Sequence, residues 1–444
     1  MPMVEFVGQS ARDADNIRAN PSRLVNLYRE TVDPGDKHAL KSVLGTTAFA
    51  SVGGVFVRTM AEYEGSTYVL ANLALRKIDT DGSVAILGAT VDDGYASIAG
   101  NNGNVTAVIG GKYYLWDGAT LTEPTAGAFS SFGAVDYLGN YTILTEKDGR
   151  RFQWSGVADP NDLPGLNFTT ADGRDDNILR PLALNGQLYI LKQSSIEVWY
   201  LTGGAGAEAF ERQVGGVMDV GLKSFGLVTR FDGGAFMVGD DGRAYLLSGQ
   251  MQPISTPAVE TAIKNSVPEF CLTYDDEGHT FCAITFRDCP AWVYDVASGE
   301  WHERAQGADL GPWEASATAR MAGVWYLGRD GGEILALDRT NTDGGLPLVR
   351  MARSRLLYMD GERFTVSEVE IFPRVGFDAA TVELSVSKDG GITWGSPKPR
   401  SWEVGEYSRR ITWRNLGQFR QAAFELKMSD AVDVPVSSQA RVKL

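Results

Sequence analysis

The sequence predicts an all-β chain: a β-propeller of seven blades, with six as the alternative count, followed by a small antiparallel β-sandwich. Three observations carry this. A short hairpin of β-branched and aromatic residues recurs through the middle of the chain. Glycine is abundant, with 51 residues, as a fold of many tight turns requires. From about Met351 the recurrence gives way to longer strands that alternate apolar and polar residues.

The hairpin is clearest at Asn185–Gly203, NGQLYILKQSSIEVWYLTG, where two runs of strand-forming residues flank Gln193-Ser194-Ser195. A glycine precedes the first run of each unit, at Gly65, Gly103, Gly139, Gly186, Gly233, Gly278 and Gly323. The successive intervals are 38, 36, 47, 47, 45 and 45. Four of the intervals fall within the period of about 40–50 residues of a four-stranded propeller blade. Fainter segments such as Ala96-Ser97-Ile98, Leu227-Val228-Thr229 and Ala315-Ser316-Ala317-Thr318 are expected as the outer strands. Trp116-Asp117 is a WD dipeptide without the rest of its repeat, and double glycines keep no fixed place, so neither WD40 nor kelch is supported.

Three domains follow in order. Residues 1–52 form an arm, with a short amphipathic piece at Arg23–Tyr28 and a turn at Val32-Asp33-Pro34-Gly35. The arm is either a strap that closes the repeat domain or a docking arm. Residues 53–350 form the propeller. Within them one helix is expected, capped by Thr256, opened by Pro257, striped by Ala258, Val259, Ala262 and Ile263, and ending near Asn265. Residues 351–444 form the sandwich, with strands at Val366–Phe372, Thr381–Ser387, Arg410–Trp413, Phe424–Met428 and Arg441–Leu444.

Charge separates these regions. The chain carries a formal −15; residues 351–444 hold 14 Lys+Arg against 12 Asp+Glu, and residues 1–52 hold six of each, which leaves −17 for the propeller. Such acidity disfavours non-specific adhesion to nucleic acid or anionic membrane. No apolar run approaches the about 18 residues of a membrane helix, and the N-terminal MPMVEFVGQSARDADN has no signal-peptide core. Cys271, Cys282 and Cys289 lie near His279 but match no zinc spacing and read as buried thiols.

The sharpest local motif is Ser387-Lys388-Asp389-Gly390-Gly391-Ile392-Thr393-Trp394, an Asp box at every fixed position. It reads as a hairpin tip in which Ser387, Asp389, Gly391 and Thr393 shape the turn and Trp394 packs beneath. A glycosidase would need two positioned carboxylates. Asp92, Asp93, Asp175, Asp176, Glu197, Asp240, Asp241 and Glu277 are available, but mostly in paired-Asp turns, and nothing separates an acid from a base. No G-x-S-x-G and no Walker loop occurs. No catalytic residue, cofactor or metal ligand is therefore assigned. A C-terminal basic segment that includes Arg409, Arg410, Arg414 and Arg420, interleaved with Trp402, Tyr407 and Trp413, suits a protein interface or nucleic acid.

Five stretches taken together resemble the tail hub proteins of short-tailed, podovirus-like bacteriophages, also called packaged-DNA stabilisation proteins. They are SSIEVWYLTG (Ser194–Gly203), QPISTPAVETAIKNS (Gln252–Ser266), LSVSKDGGITWG (Leu384–Gly395), RRITWRNLGQFRQAAFELKM (Arg409–Met428), and NLYRETVDPGDK followed by LGTT. The resemblance implies a structural virion protein, made in the host bacterial cytoplasm and hexameric in the phage tail. It would join the portal and its adaptor ring to the tail needle, spikes or fibres. There it would close the channel, stabilise packaged DNA and let it pass at ejection without specific binding. The alternative is a carbohydrate-binding or glycosidase-like propeller, motivated by the Asp box and the aromatics.

Overall fold

Each expected hairpin forms the second and third strands of a four-stranded antiparallel sheet, and the glycine before it lies in the turn that joins the first strand to the second. The structure, a computed structural model, describes residues 3–5, 7, 21–33, 37–54, 56–91, 93–125 and 127–444. The Pro34-Gly35 turn, Asp92 and most of the opening MPMVEFVGQSARDADN lie outside the described residues. Seven sheets succeed one another as blades 1 to 7: residues 57–89, 96–122, 132–170, 178–218, 228–253, 268–304, and 315–338. Every inner hairpin turns over two residues, as the pairings Leu184↔Gln187 and Asp276↔His279 show. Asn185 and Gly186 both take positive φ (51° and 79°), the primed-turn geometry that matches strand twist.

The order of strands within a blade corrects one expectation. Ala96–Asn101, Val228–Phe231 and Ala315–Met321, taken as outer strands, are the first and innermost strands, against the central axis. Small residues weaken the apolar signal of Ala96–Asn101 and Ala315–Met321, and Arg230 interrupts it in Val228–Phe231. Gly100 shows the tightness: a Cβ there would stand 2.1 Å from the Tyr63 ring of blade 1. The signal is strong in second strands such as Ser66–Ala71 and Gly234–Val238 because they are buried throughout.

The seventh blade has only three strands of its own. Gly45–Ser51 completes it, pairing antiparallel with Glu333–Asp338, and Thr47 Oγ1 donates to Asp338 Oδ2 at 2.6 Å. A segment from near the N-terminus thus closes the ring. The helix Pro257–Asn265 has the expected span and buries Ala258, Val259 and Ile263 against blades 5 and 6. Thr256 makes no capping bond with its side chain; Ser255 Oγ donates to Glu260 instead (2.9 Å).

The sandwich packs Phe364–Ile371, Ile411–Phe419 and Gln439–Lys443 on one sheet over Gln421–Met428, Ala380–Ser387 and Lys398–Trp402 on the other. Trp402 and Trp413, each 1% exposed, lie in its core. Burying about 150–250 Å² per indole removes about 4–6 kcal/mol of unfavourable hydration each, before ordering entropy.

Propeller and sandwich are joined by backbone pairing. Arg23–Val25 lies parallel to Glu300–Arg304, the outermost strand of blade 6, and antiparallel to Arg350–Arg353 of the sandwich. One sheet therefore runs from blade 6 into the sandwich through three residues of the arm. Arg23 makes a bidentate pair with Glu303 (both contacts 2.7 Å), whose carboxylate is 1% exposed. Asn26 donates to the Ala305 and Val349 carbonyls and accepts from the Ala305 amide.

Candidate functional site: the axial channel and the sandwich arginines

The inner strands surround an axial channel whose contents come from the residues that begin each strand. Phe56, Tyr95, Phe225 and Phe270 enter from blades 1, 2, 5 and 6. Tyr95 stacks on Phe225 at 5.2 Å, meets Phe270 edge-on at 6.5 Å, and Phe270 lies 5.6 Å from Phe56. Blades 2 and 5 stand across the ring from each other, so this chain of rings reaches across the axis. The Tyr95 hydroxyl and Ser224 Oγ share a hydrogen bond of 3.0 Å at the same level. Above the rings a cavity of about 640 Å³ opens between Arg58, Trp313 and Arg287. Further along the same strands a second cavity of about 280 Å³ is lined by Arg58, Arg180, Arg230 and small residues such as Ser97 and Thr318.

Polar side chains stitch one blade to the next around this channel. Ser97 Oγ accepts the Val135 amide (2.8 Å), Asp136 accepts the Ala183 amide (2.7 Å), and Ser316 Oγ donates to the Val57 carbonyl (2.8 Å). Arg230 pairs with Asp136 and donates to the Ala183 carbonyl. Arg180 donates to the Phe225 carbonyl (3.3 Å) and lies 4.9 Å over that ring. Burial, then the neighbouring Arg230, lowers the Arg180 guanidinium to about 10. None of these residues is prominent in the sequence. The one signal is that Tyr95 and Phe225 are aromatic residues placed just before the first strand of a blade.

The Asp box folds as a hairpin tip. Ser387 Oγ donates to Asp389 (2.7 Å), and Asp389 Oδ1 accepts the Ile392 and Thr393 amides (3.0 and 2.9 Å). The Thr393 hydroxyl and amide, with Ser387, hold the Asp389 carboxyl well below the usual range. Gly391 takes φ of 96°, and a Cβ there would meet Pro21 at 2.8 Å, so the box also seats the arm. Trp394 departs from expectation. It is half-buried, with the Arg353 guanidinium 4.8 Å above its ring.

The basic segment is a ladder of ion pairs. Arg410 binds Glu370 through Nε (2.6 Å) and Nη2 (2.9 Å), Arg441 binds the same carboxylate (3.0 Å), and Arg414 binds Glu368 (2.8 Å). Chiefly through Arg410, this network depresses the Glu370 carboxyl. Arg409 lies 3.7 Å from Glu406, and Arg420 donates to the Gly361 carbonyl (3.0 Å). Trp413 is in the core, its indole N–H on the Lys398 carbonyl (2.7 Å), so it offers no surface. Beside the arginines stand exposed Phe377 and Tyr407, in edge contact at 5.4 Å, with Arg374 5.4 Å over Phe377.

The candidate carboxylates are scattered and engaged. Asp176 binds Ser194 and Lys192, Glu197 binds Lys192 and the Gly173 amide, and Asp175 pairs with Arg150. Asp240 accepts the Gly221 amide, Asp241 the Tyr245 hydroxyl, and Glu277 pairs with Lys41. Asp93 sits between blades 1 and 2. Among the described residues no group of three or more His, Cys, Asp or Glu side chains is placed to hold a metal ion. Cys271 and Cys282 are buried, and burial pushes the Cys282 thiol up to about 12. His279 Nδ1 lies 2.8 Å from Asp295, which raises its pKa, while burial drives His302 down to about 3.

Comparison with known proteins follows the two domains. A family model described as bacteriophage P22 Gp10, beta-propeller, matches residues 1–342, and one described as bacteriophage P22 Gp10, beta-sandwich, matches residues 350–443. No curated protein matches the sequence. Among solved structures the chain is similar to the computationally designed Ika8 protein (12% identity, TM-score 0.39, 66% of this chain and 99% of that one). It is also similar to PorZ, a surface component of the type-IX secretion system of Porphyromonas gingivalis (11%, 0.41, 74% and 44%). A third is YCF48 bound to D1 peptide (10%, 0.44, 67% and 98%).

Proposed function

We propose a function from one premise: the chain belongs to the bacteriophage P22 Gp10 family, in its propeller and its sandwich alike. It is a structural protein of the phage tail and works in assembly with other virion components. Its specific role is that of a hub. Six copies form a ring that joins the portal and adaptor to the needle, spikes or fibres beyond, closes the DNA channel and retains the packaged genome until ejection.

The observation that carries this reading is the continuous sheet from blade 6 through Arg23–Val25 into the sandwich. It makes two domains one stiff body, as a load-transmitting joint requires. The aromatic rings that cross the propeller axis support the same reading, since a duplex cannot thread a single subunit and must pass between copies. A propeller of net −17 repels phosphates, so the passing DNA is not held. The sandwich end, with Arg374, Arg409, Arg410, Phe377 and Tyr407, has the arginine-and-aromatic character of an interface, and it is the surface assigned to a neighbouring virion protein.

Light scattering tests the proposal: the protein is measured alone, then with the portal–adaptor complex of the same virus. Six copies joining that complex are expected. A monomer that ignores the complex, or specific glycan binding with turnover, overturns the hub.

A further inference from the structure

The 280 Å³ cavity on the propeller axis has a charge opposite to its domain. Among the described residues its charged lining is three arginines, Arg58, Arg180 and Arg230, with no carboxylate. Asp136 stands behind and is occupied by Arg230 and two backbone amides. Arg180 Nε is buried with no hydrogen-bond partner. Its guanidinium lies over the Phe225 ring, and burial, then the like charge of Arg230, lowers its pKa against the opposing pull of Asp136. A guanidinium offers five donors and keeps its charge in any protein, so leaving one in a low-dielectric chamber is unfavourable unless an acceptor arrives. The chamber has room for one. It holds about nine water volumes at about 30 Å³ each, enough for a small polybasic anion and far too little for a polymer. It also shares Arg58, Tyr95 and Phe270 with the wider cavity at the mouth, which gives an entry path through the aromatic layer.

We propose that the axial cavity is a binding site for a small polybasic oxyanion, of phosphate or carboxylate type, held by Arg180, Arg58 and Arg230 beneath the Tyr95–Phe225 stack. The bound anion accepts from the guanidinium of Arg180 and neutralises its charge at the centre of the ring. It locks the inner strands of blades 1, 4 and 5 together, so occupancy stiffens the propeller.

The test uses the full chain at constant ionic strength. Calorimetric titrations with pyrophosphate and with citrate are run beside sodium chloride, and each is repeated as thermal melting. One site per chain is expected for pyrophosphate, citrate or both, with a saturable rise in Tm that chloride does not produce; the two arms distinguish a phosphate from a carboxylate ligand. Arg180→Met removes the uncompensated cation, so without anion it is expected to melt at or above the parent temperature while its anion affinity falls at least tenfold. Arg58→Gln is the second variant, expected to weaken binding at the mouth of the same cavity. Absence of stoichiometric binding by the unsubstituted chain, or binding undiminished in Arg180→Met and Arg58→Gln, overturns the proposal.

Discussion

The molecule joins its sheets in two different ways. Among the described residues of the propeller no blade shares a strand ladder with the next, and the seams rest on apolar clusters that cross from blade to blade and on single side chains such as Ser97, Asp136 and Ser316. Between propeller and sandwich the ladder is unbroken, and a buried ion pair sits on it. The first arrangement spreads cohesion over the many contacts of seven packed seams. The second concentrates it in three residues of the arm. A lost seam contact should therefore be tolerated, and a lost junction contact should not.

The largest expected effect is at the junction. Glu303→Ala leaves Arg23 buried without its bidentate partner and should destabilise the chain by about 3–5 kcal/mol in urea unfolding. A loss below about 1 kcal/mol would show that the strand pairing holds the junction alone. His302, on the same outer strand of blade 6, gives the junction a pH dependence. Its pKa is about 3 in the folded chain against an ordinary 6.5, so the unfolded state binds more protons between those values and stability falls as pH drops below about 6.5. The slope approaches about 1.4 kcal/mol per pH unit. His279 is shifted the other way, so its contribution is complete below about pH 6.5, stays constant across that window and does not flatten the slope. His302→Phe should remove the slope between about pH 6.5 and 5 in melts across that range.

Seam changes come next. Gly100→Ala drives a methyl into the Tyr63 ring and should cost about 1–3 kcal/mol as overpacking. Ser97→Ala strands the Val135 amide and should cost about 1–3 kcal/mol. If either matched Glu303→Ala, the distinction between spread and concentrated cohesion would fail. The smallest effect belongs to the sandwich surface. Arg414→Ala removes an exposed pair with Glu368 and should cost about 0–1 kcal/mol, seen as a Tm shift of a degree or two that vanishes at high salt.

The strands that the sequence displayed best are those buried on both faces. LYILK and AFMV are apolar runs because neighbouring blades cover both sides. Three innermost strands carry a weaker pattern, because Ala, Ser and Thr in Ala96–Asn101 and Ala315–Met321, and Arg230 in Val228–Phe231, interrupt the apolar alternation. The same bias governed the arginines. Arg409, Arg410 and Arg414 drew notice as neighbours in the chain, yet they are largely engaged with Glu406, Glu368 and Glu370. Arg58, Arg180 and Arg230 are lone residues far apart in sequence, and only closure of the ring brings them to one cavity. The Asp box was legible to its hydrogen bonds because those are local; the position of Trp394 was not, because it depends on Arg353 from another strand.

Ring closure by Gly45–Ser51 has a consequence for synthesis. Thr47 and its partner Asp338 are 291 residues apart in the chain. At a translation rate of about 5–20 residues per second, the closing strand is on the nascent chain for about 15–60 s before the segment it pairs with has been made. Throughout that interval GTTAFAS is an unpaired edge, and six blades are complete or forming without their seventh. The propeller thus cannot finish vectorially from its first residue to its last: its earliest strand is among its last to be satisfied, and the production of intact subunits depends on keeping that strand from pairing with a neighbouring nascent chain.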